Sequence, residues 1–179
     1  TGIVKHGFST RLGGVSKGHC GTMNISTTRG DEPKAIEENR RRIARAIGVD
    51  PLDFTYTHQT HTTNVAVVEE KDRGGKFPDT DGMVTNVPGI CLVTFYADCV
   101  PLFFVDPVHR AIGLSHSGWR GTVGRMGKVT LEMMHKQYKT NPSQVFAAIG
   151  PSICQDCYEV SGDVIERFKE TFDEALWSE

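Results

Sequence analysis

Apolar residues in this chain follow a helical spacing at three places and form short strand-like runs between them. Ile36, Ile43 and Ile47 share one face of a 3.6-residue period, so the spacing predicts a helix over 33–47. Asp31 is placed to cap it, Pro33 suits its first turn and Gly48 stops it. Arg40, Arg41 and Arg42 read as its solvated face. A second helix is predicted over 122–138, with Val123, Gly127, Leu131, Met134 and Tyr138 along one face. A third starts near Ser161 as its N-cap and turns Ile165, Phe168, Phe172 and Leu176 inward.

Strand-like runs occupy 53–57, 64–68, 89–96, 101–105, 111–115 and 145–149. Asp106 and Pro107 mark a tight turn, which predicts a hairpin between 101–105 and 111–115. The N-terminal stretch from Lys5 to Arg11 reads as a further short strand. It runs into a loop with four glycines in nine residues, Gly13 to Gly21, a composition that permits close approach of a ligand or simply a surface loop. Strands gathered in the middle with helices around them indicate an α+β protein with mixed sheets. With no internal repeat and no linker, residues 1–179 read as one domain.

Composition narrows the function classes. The longest apolar stretch, 90–105, is broken by Asp98 and Pro101 and is too short to cross a bilayer. No signal peptide is visible, so no membrane role is expected. A net charge of −2 without a long basic run argues against nucleic acid as a partner. Five cysteines form no secreted disulfide framework, and a reducing cytoplasm is expected. The chain begins at Thr1 and stops at Glu179 inside the last predicted helix, so N- and C-terminal pieces are expected to be missing.

The chemistry is concentrated at Cys99 and His116. Cys99 follows an apolar run, beside Asp98 and ahead of Pro101; His116 follows another, just before Gly118-Trp119-Arg120-Gly121. His61 lies upstream in His58-Gln59-Thr60-His61. Two imidazoles and a thiolate from three segments, with a fourth position open, compose a catalytic zinc site. The bland alternative is a buried cysteine and satisfied core histidines, which are commoner. His58 stands at an odd offset from His61, which in an extended segment puts the two rings on opposite faces. A nucleophilic reading uses Cys99 as thiolate, activated by His116 or His61, with Asp98 or Gln59 orienting the imidazole. Against it, Asp98 should raise the thiol pKa by like-charge repulsion.

Copper fits poorly. Blue-copper sites normally add an axial ligand such as Met, and none lies between Cys99 and Gly118. Multicopper centres need many imidazoles, whereas the seven histidines here include no His-x-His pair. Arg120, beside Trp119 in a turn, is a natural anion clamp, with a surface ion pair as its ordinary alternative. Cys154-x-x-Cys157, alone in a loop after Gly150-Pro151, reads as two unpaired thiols, with an oxidation-prone pair as the rival.

Five motifs in order carry a resemblance: Phe8-Ser9-Thr10-Arg11-x-Gly13-Gly14-x-Ser16, His58-Gln59-x-His61, Asp98-Cys99-x-Pro101, His116-Ser117-Gly118-Trp119-Arg120-Gly121 and Ile149-Gly150-Pro151-Ser152-Ile153. Together they resemble the purine nucleoside phosphorylase family long labelled multicopper polyphenol oxidoreductase, or laccase-domain, proteins. The resemblance implies a layered α/β/β/α sandwich, similar to that of a bacterial deamidating toxin with a Cys–His site. It implies a zinc ion on His61, Cys99 and His116, and phosphorolysis of adenosine, inosine and methylthioadenosine with adenosine deamination as a further activity. On that reading Arg120, helped by Arg11, holds phosphate, and Asp98 orients a ligand or manages protons. The rivals are a zinc-free Cys–His amidohydrolase or peptidase in peptidoglycan editing, a copper-dependent polyphenol oxidase and a zinc-stabilised binding module. Cys154-Gln155-Asp156 departs from the family, whose members more often carry Gly-Pro there.

Overall fold

The computed structural model describes residues 2–176. Its eight strands are β1 (Phe54–Thr57), β2 (Val65–Val67), β3 (Lys76–Phe77), β4 (Gly82–Thr85), β5 (Cys91–Val93), β6 (Val100–Asp106), β7 (Ala111–Ser117) and β8 (Phe146–Ile149). They form a parallel three-stranded sheet, ordered β3-β1-β5, and a mixed five-stranded sheet, ordered β2-β4-β7-β6-β8. The helices are α1 (Pro33–Ile47), α2 (Trp119–Val123), α3 (Met126–Tyr138) and α4 (Gly162–Thr171). The fold is therefore mixed α/β with two sheets, as the strand pattern and the family resemblance imply.

Alternation along the strands explains the layering. Met83, Phe103 and Leu114 leave one face of the large sheet and meet Leu92 and Phe77 of the small sheet in a common core. Val84 and Phe104, one residue out of phase, pack with Met134 and Leu131 of α3 on the other face. Gly113 of β7 lets this helix approach, because a Cβ there would stand 3.1 Å from both Met134 and Thr130. On the small sheet, Tyr56 carries the Arg40 guanidinium of α1 4.6 Å above its ring. The order is α1, small sheet, large sheet, α3. No helix among the described residues is long and apolar enough to cross a membrane.

Several sequence expectations need correction. The stretch 5–11 forms no strand, since it finds no ladder partner among the described residues. Asp31 does not cap α1: the cap position is Glu32, and the Asp31 carboxylate instead accepts from Ser16, Asn24 and the Glu32 amide. The helix predicted over 122–138 is two, because Arg125 takes a left-handed conformation (φ 56°) and breaks it. The last helix buries Val164 and leaves Ile165 and Leu176 exposed, and it ends at Thr171. β3 and β4 were not predicted. β4 is internal and buried along its whole length, so it lacks the alternation that marks a half-buried strand.

Candidate metal centre

β6 and β7 form the predicted hairpin, closed at Asp106 and Ala111, with Pro101 opposite His116 and Val100 opposite Ser117. His116 has the same parity as Leu114, so it leaves β7 on the face that meets the small sheet. Cys99 lies one residue before β6, which in this register brings it level with Gly118. A Cβ on Gly118 would stand 3.0 Å from Cys99 Sγ and 3.1 Å from His61 Cδ2. Only the missing side chain at 118 lets the thiol and the imidazole share this space.

His61 comes from the loop between β1 and β2 and has a left-handed backbone, φ 64°. A β-carbon makes this conformation uncommon, so something must hold it. Asp81 does. Its Oδ2 accepts from the Thr60 and Thr62 amides at 3.1 and 2.9 Å and from the Thr62 hydroxyl at 3.0 Å. Its Oδ1 accepts from the His61 amide at 3.1 Å and from His116 Nδ1 at 2.8 Å. The carboxylate is fully buried. Burial opposes its ionisation, but the His116 ring and the Thr62 and Thr60 donors outweigh it and hold the pKa at about 2. An ionised Asp81 requires the His116 proton on Nδ1, which leaves Nε2 free as a ligand.

The ligand atoms of His61, Cys99 and His116 all lie within 4.8 Å of one another, and the three residues are exposed, half-buried and buried in turn. The His61 and His116 rings meet edge to face with centroids 5.0 Å apart. Tyr96 borders the group: its ring is 5.7 Å from that of His116, and its hydroxyl accepts from Thr94 and donates to the Ser115 carbonyl. Burial, then Asp98 and Asp81, push the Cys99 thiol above its ordinary range, so it is not a ready nucleophile by itself. A cation between the donors would reverse that. Two imidazole nitrogens and a thiol within reach of bonds of about 2.0–2.3 Å, with an open side, suit a zinc ion. The carboxylate behind His116 is the usual partner of a ligating histidine.

The remaining candidates are distributed unevenly. Arg11 and Asp98 line a broad cleft, walled by both sheets, α1 and the N-terminal segment, whose lining also includes the three candidate ligands. Both are exposed. Arg120 is exposed, outside that lining, and stacked with its guanidinium 4.4 Å from the Trp119 ring centre. No carboxylate pairs with it among the described residues. His58 does not join the ligand group. Gln59 does not orient either histidine; it clasps Phe95, accepting from its amide at 2.8 Å and donating to its carbonyl at 2.6 Å. The orienting group for His116 is Asp81, a residue that spacing did not reveal. Its signal was an acid directly ahead of the run Gly82-Met83-Val84-Thr85, where burial forces a carboxylate to find donors.

Residues 5–178 match the family described as multi-copper polyphenol oxidoreductase laccase. This chain belongs to that family. It is 42% identical over 166 residues to a Deinococcus radiodurans protein named purine nucleoside phosphorylase, covering 93% of this chain and 63% of that one. It is 38% identical to adenosine deaminase RL5 from an unknown prokaryotic organism, covering 90% of this chain and 64% of the relative. The crystal structure of YlmD from Geobacillus stearothermophilus superposes with a TM-score of 0.88 at 32% identity, over 92% of this chain and 64% of that one. The chain thus spans less than two thirds of the length of these relatives. The copper in the family description finds little support in the site. Among the described residues, His61, Cys99 and His116 are the one group of three or more potential ligands, far short of a multicopper centre.

Proposed function

We propose that this chain is a cytoplasmic, zinc-dependent purine nucleoside phosphorylase that cleaves adenosine, inosine and methylthioadenosine with phosphate and also deaminates adenosine. The observation that carries the reading is the His61, Cys99 and His116 group braced by Asp81. The names of relatives 42% and 38% identical to this chain supply the reaction classes.

His61, Cys99 and His116 would hold the zinc ion, which when bound can polarise a substrate group or activate water for deamination. Asp81 fixes the His116 tautomer and the backbone of the His61 loop before substrate arrives. In phosphorolysis a phosphate oxygen takes the ribose carbon while the purine leaves with the bond electrons. Arg11, on the cleft wall, would hold the phosphate dianion. Arg120, free of carboxylate partners among the described residues, is the second candidate clamp. Asp98, exposed beside Cys99, can accept or return a proton at its carboxylate.

The test is adenosine turnover with and without phosphate, read by separating adenine from inosine. Adenine release that requires phosphate supports phosphorolysis. Equal turnover without phosphate, yielding inosine alone, would leave a deaminase, the reading favoured by the similarity to adenosine deaminase RL5.

A further inference from the structure

We propose that Cys154 and Cys157, neither of them among the three candidate metal ligands, form a thiol–disulfide exchange site which reacts with small-molecule disulfides and closes to a disulfide within its own loop. Both thiols are free and exposed. A short 3-10 turn over Gln155–Cys157 folds the segment back, and the Cys157 amide donates to the Cys154 carbonyl at 3.1 Å. A turn closed by such a bond brings its end residues within about 7 Å, the separation a disulfide needs.

The two sulfurs are not equivalent. The two thiols act on each other: the neighbouring Cys157 draws Cys154 below the ordinary thiol value, and Cys154 raises Cys157. Cys20 and Cys91 are shifted upward: burial and then Asp31 raise Cys20, and burial and then Asp53 bring Cys91 to about 11. Cys154 stands at the N-cap of the turn, the end where unpaired backbone N–H groups favour a thiolate, and Cys157 closes the turn, so Cys154 is the attacking thiol and Cys157 the resolving one.

The exchange balances without any group beyond the disulfide. Cys154 thiolate attacks one sulfur of the small-molecule disulfide, that S–S bond breaks, and one thiolate leaves. Cys157 then loses its proton and attacks Cys154 in the mixed disulfide, forming the loop disulfide and releasing the second thiol. The protein gives up two electrons and two protons, and the small-molecule disulfide is reduced to two thiols. The loop is anchored during this change, because the Gly150 amide donates to Pro101 and the Ile153 amide to Asp98.

The experiment exposes the whole chain to oxidised glutathione and follows intact mass and the peptide that contains both residues. The expected product has lost two hydrogens in that peptide, while Cys20, Cys91 and Cys99 stay unmodified on the same time course. Cys157→Ser should stall as a glutathione adduct on Cys154, and Cys154→Ser should react much more slowly at Cys157. Stable glutathione adducts on the wild-type pair would overturn the proposal. So would a disulfide that includes Cys99, or a Cys154→Ser variant that reacts at the wild-type rate. Both substitutions fall at exposed positions, and circular dichroism of each variant checks that the fold is retained.

Discussion

Asp81 and His116 are bonded twice. The Asp81 carbonyl accepts from the His116 amide at 2.7 Å, and its carboxylate accepts from His116 Nδ1 at 2.8 Å. The same carboxylate takes the amides of Thr60, His61 and Thr62. One buried side chain thus sets the ring of one candidate ligand and the backbone of another. That makes Asp81 the keystone of the candidate metal centre, although it is not one of the three candidate ligands.

Replacing Asp81 should damage the site and the fold together. Asp81→Asn presents an amide to donors that need an acceptor, and should cost about 2–4 kcal/mol of stability. Zinc affinity should fall by about 10–100-fold. Chemical denaturation and competition with a chromophoric chelator read the two effects. A variant with wild-type zinc affinity would remove Asp81 from the account.

Gly118 separates ligand geometry from folding. In Gly118→Ala the new methyl meets Cys99 Sγ at 3.0 Å and His61 Cδ2 at 3.1 Å, and its φ of −74° is open to any residue. Zinc affinity should therefore drop by about tenfold or more, the scale on which ligand-orienting contacts act, while the melt of the metal-free protein changes little. Unchanged zinc affinity would show that the ligands do not converge at this point.

Asn39 should matter for the glycine-rich loop and not for the metal. Its buried amide accepts from Val15 and donates to Ser16, Thr22 and Asn24, joining α1 to the loop. Asn39→Ala takes this partner from the Val15 amide and the Asn24 carbonyl and should cost about 2–3 kcal/mol. Hydrogen exchange across 13–26 should quicken while zinc content holds. Protection equal to wild type would contradict the role given to Asn39.

The β6–β7 turn should contribute acid sensitivity. Asp106 is buried and accepts from the amides of Val108 and His109 and from the His109 ring. Burial alone would raise its pKa, but these donors lower it below the ordinary value. A carboxyl depressed in the folded state stabilises above its unfolded pKa of about 3.9 and loses that contribution as pH falls through the lower folded value. Asp106→Ala should therefore be less stable than wild type at neutral pH, with the gap narrowing as pH drops below about 4. A gap that stays constant across this range would refute the assignment.

Much of this arrangement was legible in the sequence, for physical reasons that differ by element. α1 was readable end to end because Ile36, Ile43 and Ile47 keep the helical period and Gly48 adopts the left-handed stop, φ 72°. The hairpin was readable because Asp106-Pro107 punctuates two apolar runs. Cys99, His116 and His61 stood out as residue types whose chemistry is rare, and only the fold could show that they meet. Asp81 was illegible because a structuring carboxylate looks like any surface acid until its burial is known. The break at Arg125 was hidden for a similar reason: nothing in Gly124-Arg125 overrides the helical spacing on either side until tertiary contacts choose the turn. The inward face of α4 was misjudged because periodicity names a stripe, and packing decides which edge of it is buried.

Elemental analysis of the purified chain is the direct test of whether His61, Cys99 and His116 share one zinc ion. Close to one zinc per chain is expected in the wild type and only a trace in His116→Ala, with that variant still melting cooperatively. Stoichiometric copper in the wild type, or zinc retained at wild-type levels in a folded His116→Ala, would contradict this expectation.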